Sequence, residues 1–132
     1  MRLDKLAVTA QEAFQAAMSI AADNDSATID GIHLLKALLD SGENNLSAII
    51  KRVGADPALL KKNVDRTVEN GARVTGGVTG MSIPTNQLMT DIDNAVKIAE
   101  KMGDSYATSE HLLISLAEDK GSAGKVLNSA GV

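Results

Sequence analysis

One segment of this chain occurs twice. Ile32–Asp40 reads IHLLKALLD and Glu110–Glu118 reads EHLLISLAE, so His33, Leu34, Leu35 and Leu38 return 78 positions later as His111, Leu112, Leu113 and Leu116. The register extends beyond the motif. Ile20-Ala21 returns as Ile98-Ala99, and Ile49-Ile50-x-x-x-Gly54 returns as Val126-Leu127-x-x-x-Gly131, one residue shorter. A duplicated unit with leucines at helical spacing must bury its apolar face, and the nearest partner for one copy is the other. Each half alone would be marginal, whereas the two together make one domain. The expectation is a single all-α domain over residues 1–132. It divides into repeat one at about 1–71, a connector at about 72–84 and repeat two at about 85–132.

The helices can be read from periodicity and punctuation. Leu3, Leu6, Ala10, Phe14, Ala17 and Ala21 fall on one helical face, so a first helix runs to about Ala22, with Asp4 or a Thr9–Glu12 capping box as its start. The motif helices open at Asp30 and Thr108, whose short side-chain oxygens suit an N-cap. A third helix covers about Leu46 to Val53 and stops at Gly54. Asp56-Pro57 then starts a fourth, with Leu59, Leu60, Val64 and Val68 as its stripe. After the glycine-rich connector, a helix from about Thr85 to Met102 turns Leu88, Ile92, Val96 and Ala99 inward and stops at Gly103. The last helix ends at Gly131. The first copy follows its equivalent glycine with the Asp-Pro helix and the second does not, so each repeat is expected to be a four-helix unit whose final helix is truncated in copy two.

Composition excludes several functions. With 44% hydrophobic and 23% charged residues the chain has enough apolar surface for a core, yet its apolar runs are too short to span a membrane. MRLDKL lacks the apolar stretch of a signal peptide, which points to the cytoplasm. No Cys means no disulfide and no thiolate chemistry. A net charge of −4, no Trp, one Tyr and one Phe offer neither a basic face nor stacking rings for nucleic acid.

Catalytic and ligand motifs fail at the residue level. Gly124-Lys125 has Asp119 where a phosphate loop needs its first Gly and Val126 where it needs a hydroxyl, so ATP has no cradle here. Gly76-Gly77-Val78-Thr79-Gly80 follows no strand and reads as linker. Asp23-Asn24-Asp25 opens like a calcium loop, but Ala27 and Thr28 stand where a ligand and the required Gly belong. His33 and His111, the only histidines, lack the companions of a general base or a zinc site; their repeated place in the first turn of a helix suggests packing or a terminal hydrogen bond. Asp104 and Glu110 flank the second motif helix, where the helix dipole alone favours a carboxylate.

Together, MRLDKL, Ala10-Gln11-Glu12-Ala13, HLLKALL at His33–Leu39, RVTGG at Arg73–Gly77, GDSYATSEHLL at Gly103–Leu113 and the closing Ala130-Gly131-Val132 resemble the amino-terminal domain of the Clp ATPases, closest to the ClpB-type disaggregases. The resemblance covers essentially the whole chain. It implies an eight-helix pseudo-twofold domain, here with about seven, joined by a linker to AAA+ modules that form a hexamer and use ATP and magnesium. Neither module lies in this sequence, and no cofactor is expected for the part in hand, which should be a monomer.

The resemblance further implies a non-catalytic domain that engages unfolded or aggregated polypeptides through a shallow apolar groove with a polar rim. Carried over residue by residue, Asp104 and Glu110 match the family's acidic pair, whereas its Thr position is Ala7, beside Leu6. Apolar groove positions fall on Asn94, Ile98 and His111, of which Ile98 alone stays aliphatic, so the groove should be more polar than usual. Two rivals remain. A ClpC- or ClpA-type domain would dock adaptors or phosphoarginine, using a Glu before each motif His, but the first copy has Ile32 there. A purely structural domain would contact only its own ATPase ring; the resemblance also allows a co-chaperone or adaptor as partner.

Overall fold

The computed structural model describes residues 3–41, 44–71 and 82–132. After a 3-10 turn at Leu3–Lys5, the first copy supplies α1 (Val8–Asp23), β1 (Thr28–Ile29), α2 (Gly31–Asp40), α3 (Asn44–Arg52) and α4 (Pro57–Glu69). The second supplies β2 (Ile83–Pro84), α5 (Asn86–Lys101), α6 (Ser109–Ala117) and α7 (Ser122–Ser129). Among the described residues the fold is all-α apart from these two short strands. Among the described residues the first copy has four helices and the second three. Most of the expected connector, with its RVTGG motif, lies outside the described residues. Its last part does not: Ile83–Pro84 forms a parallel pair with Thr28–Ile29.

Both leucine motifs are buried in one core, with α1 packed on α2, α5 on α6, and α2 meeting α6 and α7 between the copies. The duplication is also visible in the backbone. Thr85 N–H donates to the Ile29 carbonyl at 3.1 Å, and Ala7 N–H donates to the Ala107 carbonyl at 2.8 Å. These are one bond made twice: in each case the segment entering a copy's first helix pairs with the segment entering the other copy's motif helix. Such an exchange buries backbone polar groups between the copies while satisfying them. It ties the two halves together more specifically than leucine contact can.

This exchange also corrects the expected helix start. Neither Asp4 nor Thr9 caps α1; Ala7 is the N-cap residue, in extended conformation and with no side-chain hydrogen bond. The counterpart Thr85 has nearly the same backbone angles, and its Oγ1 accepts from Leu88 N–H at 3.1 Å. Backbone pairing at Leu6–Ala107 positions the start of α1 without help from a cap. The expectation for the fourth helix needs one change: Asp56 caps it and Leu60, Val64 and Val68 are buried, but Leu59 is 55% exposed.

Copy two contains a buried acid pair. Asp91, on the inner face of α5, is 2% exposed, and Asp119, just beyond α6, is buried as well. Gln87 Nε2 donates to Asp91 Oδ1 at 2.9 Å, Gly121 N–H donates to Asp119 Oδ1 at 2.5 Å, and no donor reaches Asp91 Oδ2. The two carboxyls lie within hydrogen-bonding reach of each other. Two ionised acids there would face each other as acceptors only. One proton removes the conflict by making Asp91 a donor to Asp119. Burial first, and the bond to Asp119 second, push the Asp91 carboxyl up to about 8. Ser115 Oγ, donating to the Asp91 carbonyl at 2.6 Å, completes the tie between α5 and α6.

Candidate functional site

The end of α5 sets up the site. Gly103, with φ +80°, takes the left-handed conformation that closes a helix, and Asp104 N–H reaches back to the Ala99 carbonyl at 2.9 Å. Asp25, at φ 54°, makes the same turn in copy one without the freedom of a glycine. Beyond Asp104, Ala107 is fully buried and its N–H donates to the Lys5 carbonyl at 2.8 Å. Ser105 and Tyr106 therefore span a short arch anchored at both ends.

Thr108 then opens α6 through a capping box whose third residue is a histidine. Thr108 N–H donates to His111 Nδ1 at 2.9 Å, while the Thr108 side chain accepts from the His111 backbone N–H. Copy one repeats the arrangement, with Asp30 N–H donating to His33 Nδ1 at 2.8 Å. Histidine takes the place usually held by Glu or Gln. Both repeated histidines thus make the terminal hydrogen bond that their position suggests. Burial, opposed by Asp30, holds His33 below the ordinary imidazole pKa, which favours the neutral acceptor that the cap requires.

A surface concavity of about 520 Å³ lies over this arch, lined by Met102, Asp104, Tyr106, Glu110, His111 and, from α1, Thr9, among others. Met102 is 62% exposed and Tyr106 54%, large apolar areas beside two carboxylates. Among the described residues, no Lys or Arg lines it. The matching region of copy one is a second concavity, of about 630 Å³, where Asn24, Ser26, Thr28 and Ile32 stand for Met102, Asp104, Tyr106 and Glu110, and α4 adds Arg66. Copy one thus keeps a concavity, lined by the Asp30 carboxylate and Arg66, but without counterparts of the Asp104–Glu110 pair or of the exposed Met102 and Tyr106.

The site residues expected from sequence divide accordingly. Asp104, Glu110 and His111 come together. His111 is buried, with its Nε2 3.2 Å from Asp104 Oδ2. Asn94 and Ile98 are half-buried on α5 and do not line this concavity. Leu6 is 1% exposed, a core residue with no side-chain surface to offer, and Ala7 is half-buried at the N-cap. Sequence reasoning missed Met102, Tyr106 and Thr9. The first two frame the Gly103-Asp104 stop signal, and apolar residues beside a helix stop are a readable hint of exposure.

Residues 5–130 match the family model described as the Clp repeat (R) N-terminal domain. The chain belongs to the Clp N-terminal domain family. The match is to an N-terminal domain and not to a catalytic module. Chaperone protein ClpB of Rhodopseudomonas palustris is 32% identical over 133 residues, covering 100% of this chain and 15% of the relative. ClpB of Propionibacterium freudenreichii subsp. shermanii is 30% identical, again over 100% of this chain and 15% of its own. The chain therefore spans about 15% of the length of these curated relatives. The Hsp104 N-terminal domain from Candida albicans has the same fold, with a TM-score of 0.83 at 21% identity over 97% of this chain and 83% of that one. No helix among the described residues of this Clp N domain is long and apolar enough to cross a membrane.

Proposed function

We propose that this Clp N domain is the client-recognition domain of a ClpB-type AAA+ disaggregase, binding unfolded or aggregated polypeptide segments in the concavity over Tyr106. One observation carries the reading: Asp104 and Glu110 stand beside the exposed Met102 and Tyr106 in a depression that no Lys or Arg lines among the described residues. Such a surface suits an extended segment that mixes apolar and basic side chains. Apolar groups of the client bury against Met102 and Tyr106, and the carboxylates accept hydrogen bonds from its amides or attract its cations.

The contact is small, and ordering a flexible client offsets much of what it gains. Weak capture suits a domain that hands its client onward to a pore. Several copies around a hexameric ring would recover affinity through avidity. ATP and magnesium serve the ATPase modules of the proposed parent protein, not the residues of this domain. The ClpC- or ClpA-type alternative, with phosphoarginine or an adaptor as ligand, fits less well because Ile32, the counterpart of Glu110, is buried and aliphatic.

The test is a titration of the domain with a fluorescent peptide of alternating leucine and arginine, and separately with a phosphoarginine peptide. The Leu/Arg peptide should bind weakly at one site, and Asp104→Ala with Glu110→Ala should weaken it by about tenfold, the sum of two exposed charge interactions. Unchanged binding in the double variant, or a preference for phosphoarginine, would refute the proposal.

A further inference from the structure

The two histidine caps differ on the far side of the ring. In each, Nδ1 accepts a backbone N–H, so Nδ1 carries the lone pair and the proton of the neutral ring sits on Nε2. In copy two that Nε2–H faces Asp104 Oδ2 at 3.2 Å. In copy one the residue matching Asp104 is Ser26, whose hydroxyl donates instead to the Thr28 carbonyl at 2.6 Å. A helix cap that both copies share has thus acquired, in one of them, a carboxylate as second partner.

The consequence lies with Asp104. Its side chain is 50% exposed, on an arch that projects into solvent, and an unrestrained carboxylate there would sample several rotamers. The His111 side chain is only 5% exposed and is fixed by its own cap, so it presents little area to a ligand. We propose that His111 is a positioning residue: it contacts the client little itself, and through its Nε2–H it holds Asp104 facing the concavity, so that the carboxylate is ordered before a client arrives. This rests on the proposed role of Asp104 in client recognition. It replaces a contact role for His111 with an indirect one, and it explains how a buried histidine can matter to a surface site. Preorganisation of this kind removes an ordering cost from binding.

The duplication supplies an internal control. Gln at the third helical position can keep the capping box but is too short to hold both the cap and Asp104. His111→Gln should therefore retain the fold, checked by its melting curve, and weaken the Leu/Arg peptide by about two- to fivefold, the range of an exposed charge interaction. His33→Gln should leave peptide affinity unchanged. Asp104→Ala with His111→Gln should bind no more weakly than Asp104→Ala alone, because the histidine acts only through the acid. Additive losses, or equal losses from His33→Gln and His111→Gln, would overturn the inference while leaving the acidic site intact. If Asp104→Ala itself has no effect, the recognition reading fails instead.

A readout without any client tests the geometry. Long-range nitrogen–proton NMR of the free domain should show His111 protonated at Nε2, with that proton signal shifted or lost in Asp104→Ala. A His111 ring protonated at Nδ1 would overturn the inference whatever the peptide does.

Discussion

The α1–α2 contact and the α5–α6 contact are the same interface built twice, with opposite chemistry inside. Where copy two places Asp91, Ser115 and Asp119, copy one places Ala13, Ala37 and Ser41. Copy one brings its helices together on small residues and leaves a surface concavity of about 650 Å³ lined by Ala13, Ala16, Ile20, Ala37 and Ser41, among others. Copy two fills the corresponding place with two buried acids and a hydrogen bond from Ser115 to the Asp91 carbonyl. Alanine contacts have no polar group to satisfy and nothing to titrate. A buried acid pair is directional and specific, but it holds only while its proton stays.

The largest effects test whether the cores remained equivalent beneath these interfaces. Leu35 and Leu113 are repeat counterparts, both buried. Leu35→Ala and Leu113→Ala should each destabilise the domain by about 2–5 kcal/mol, with similar urea midpoints. A large loss for one and a small loss for the other would mean that symmetry of sequence is not symmetry of packing.

The acid pair gives the next largest effect and confines it to copy two. Asp91 releases its proton near 3.8 when unfolded and near 8 when folded. Between those values the native state holds the extra proton, so this contribution to stability falls as pH rises through the window and levels off above it. Asp91→Asn supplies a permanent donor of nearly the same shape. Its stability relative to the parent should rise from pH 4 to pH 8, reaching a gain of about 1–3 kcal/mol at pH 8, as expected for relieving an unsatisfied buried group. A difference that stays constant across urea melts at several pH values would show that no proton is shared.

These cases show how much of the molecule could be read from its sequence. The repeat, the caps at Asp30, Asp56 and Thr108, and the stops at Gly54, Gly103 and Gly131 are local signals, and the structure bears them out. The acid pair was not legible, because Asp91 and Asp119 lie on different elements and periodicity shows only that a position faces inward. The start of α1 was misread for a related reason: Ala7 has no capping side chain, and what fixes it is a backbone bond to Ala107 from the other copy. For the site, the family resemblance supplied Asp104 and Glu110, whereas Met102, Tyr106 and Thr9 emerged only once the arch had a shape. The histidine caps were within reach, since His111 falls three residues after Thr108 just as His33 falls three after Asp30.

The uncapped helix gives a smaller, symmetric test. Ala7→Thr should place a hydroxyl where Thr85 has one and stabilise the domain by about 1 kcal/mol, while Thr85→Ala should cost about the same. Thermal melts of the two variants should move in opposite directions. A neutral Ala7→Thr would mean that pairing with Ala107 leaves the start of α1 no orphan donor to satisfy.

The smallest stability effect belongs to the site itself. Asp104→Ala with Glu110→Ala should change unfolding free energy by less than about 1 kcal/mol, because exposed carboxylates contribute little to folding. A much larger loss in denaturant melts would make these acids structural and remove the reason for placing recognition in copy two.

The central claim is that one copy carries recognition although both carry the fold. Its most direct test is amide NMR of the labelled domain during titration with the Leu/Arg peptide. Perturbations that saturate one to one and centre on Met102, Asp104, Tyr106 and Glu110, with the facing start of α1 near Thr9, are the predicted result. Perturbations centred on Ser26 and Ile32, or a second saturation from copy one, would contradict it.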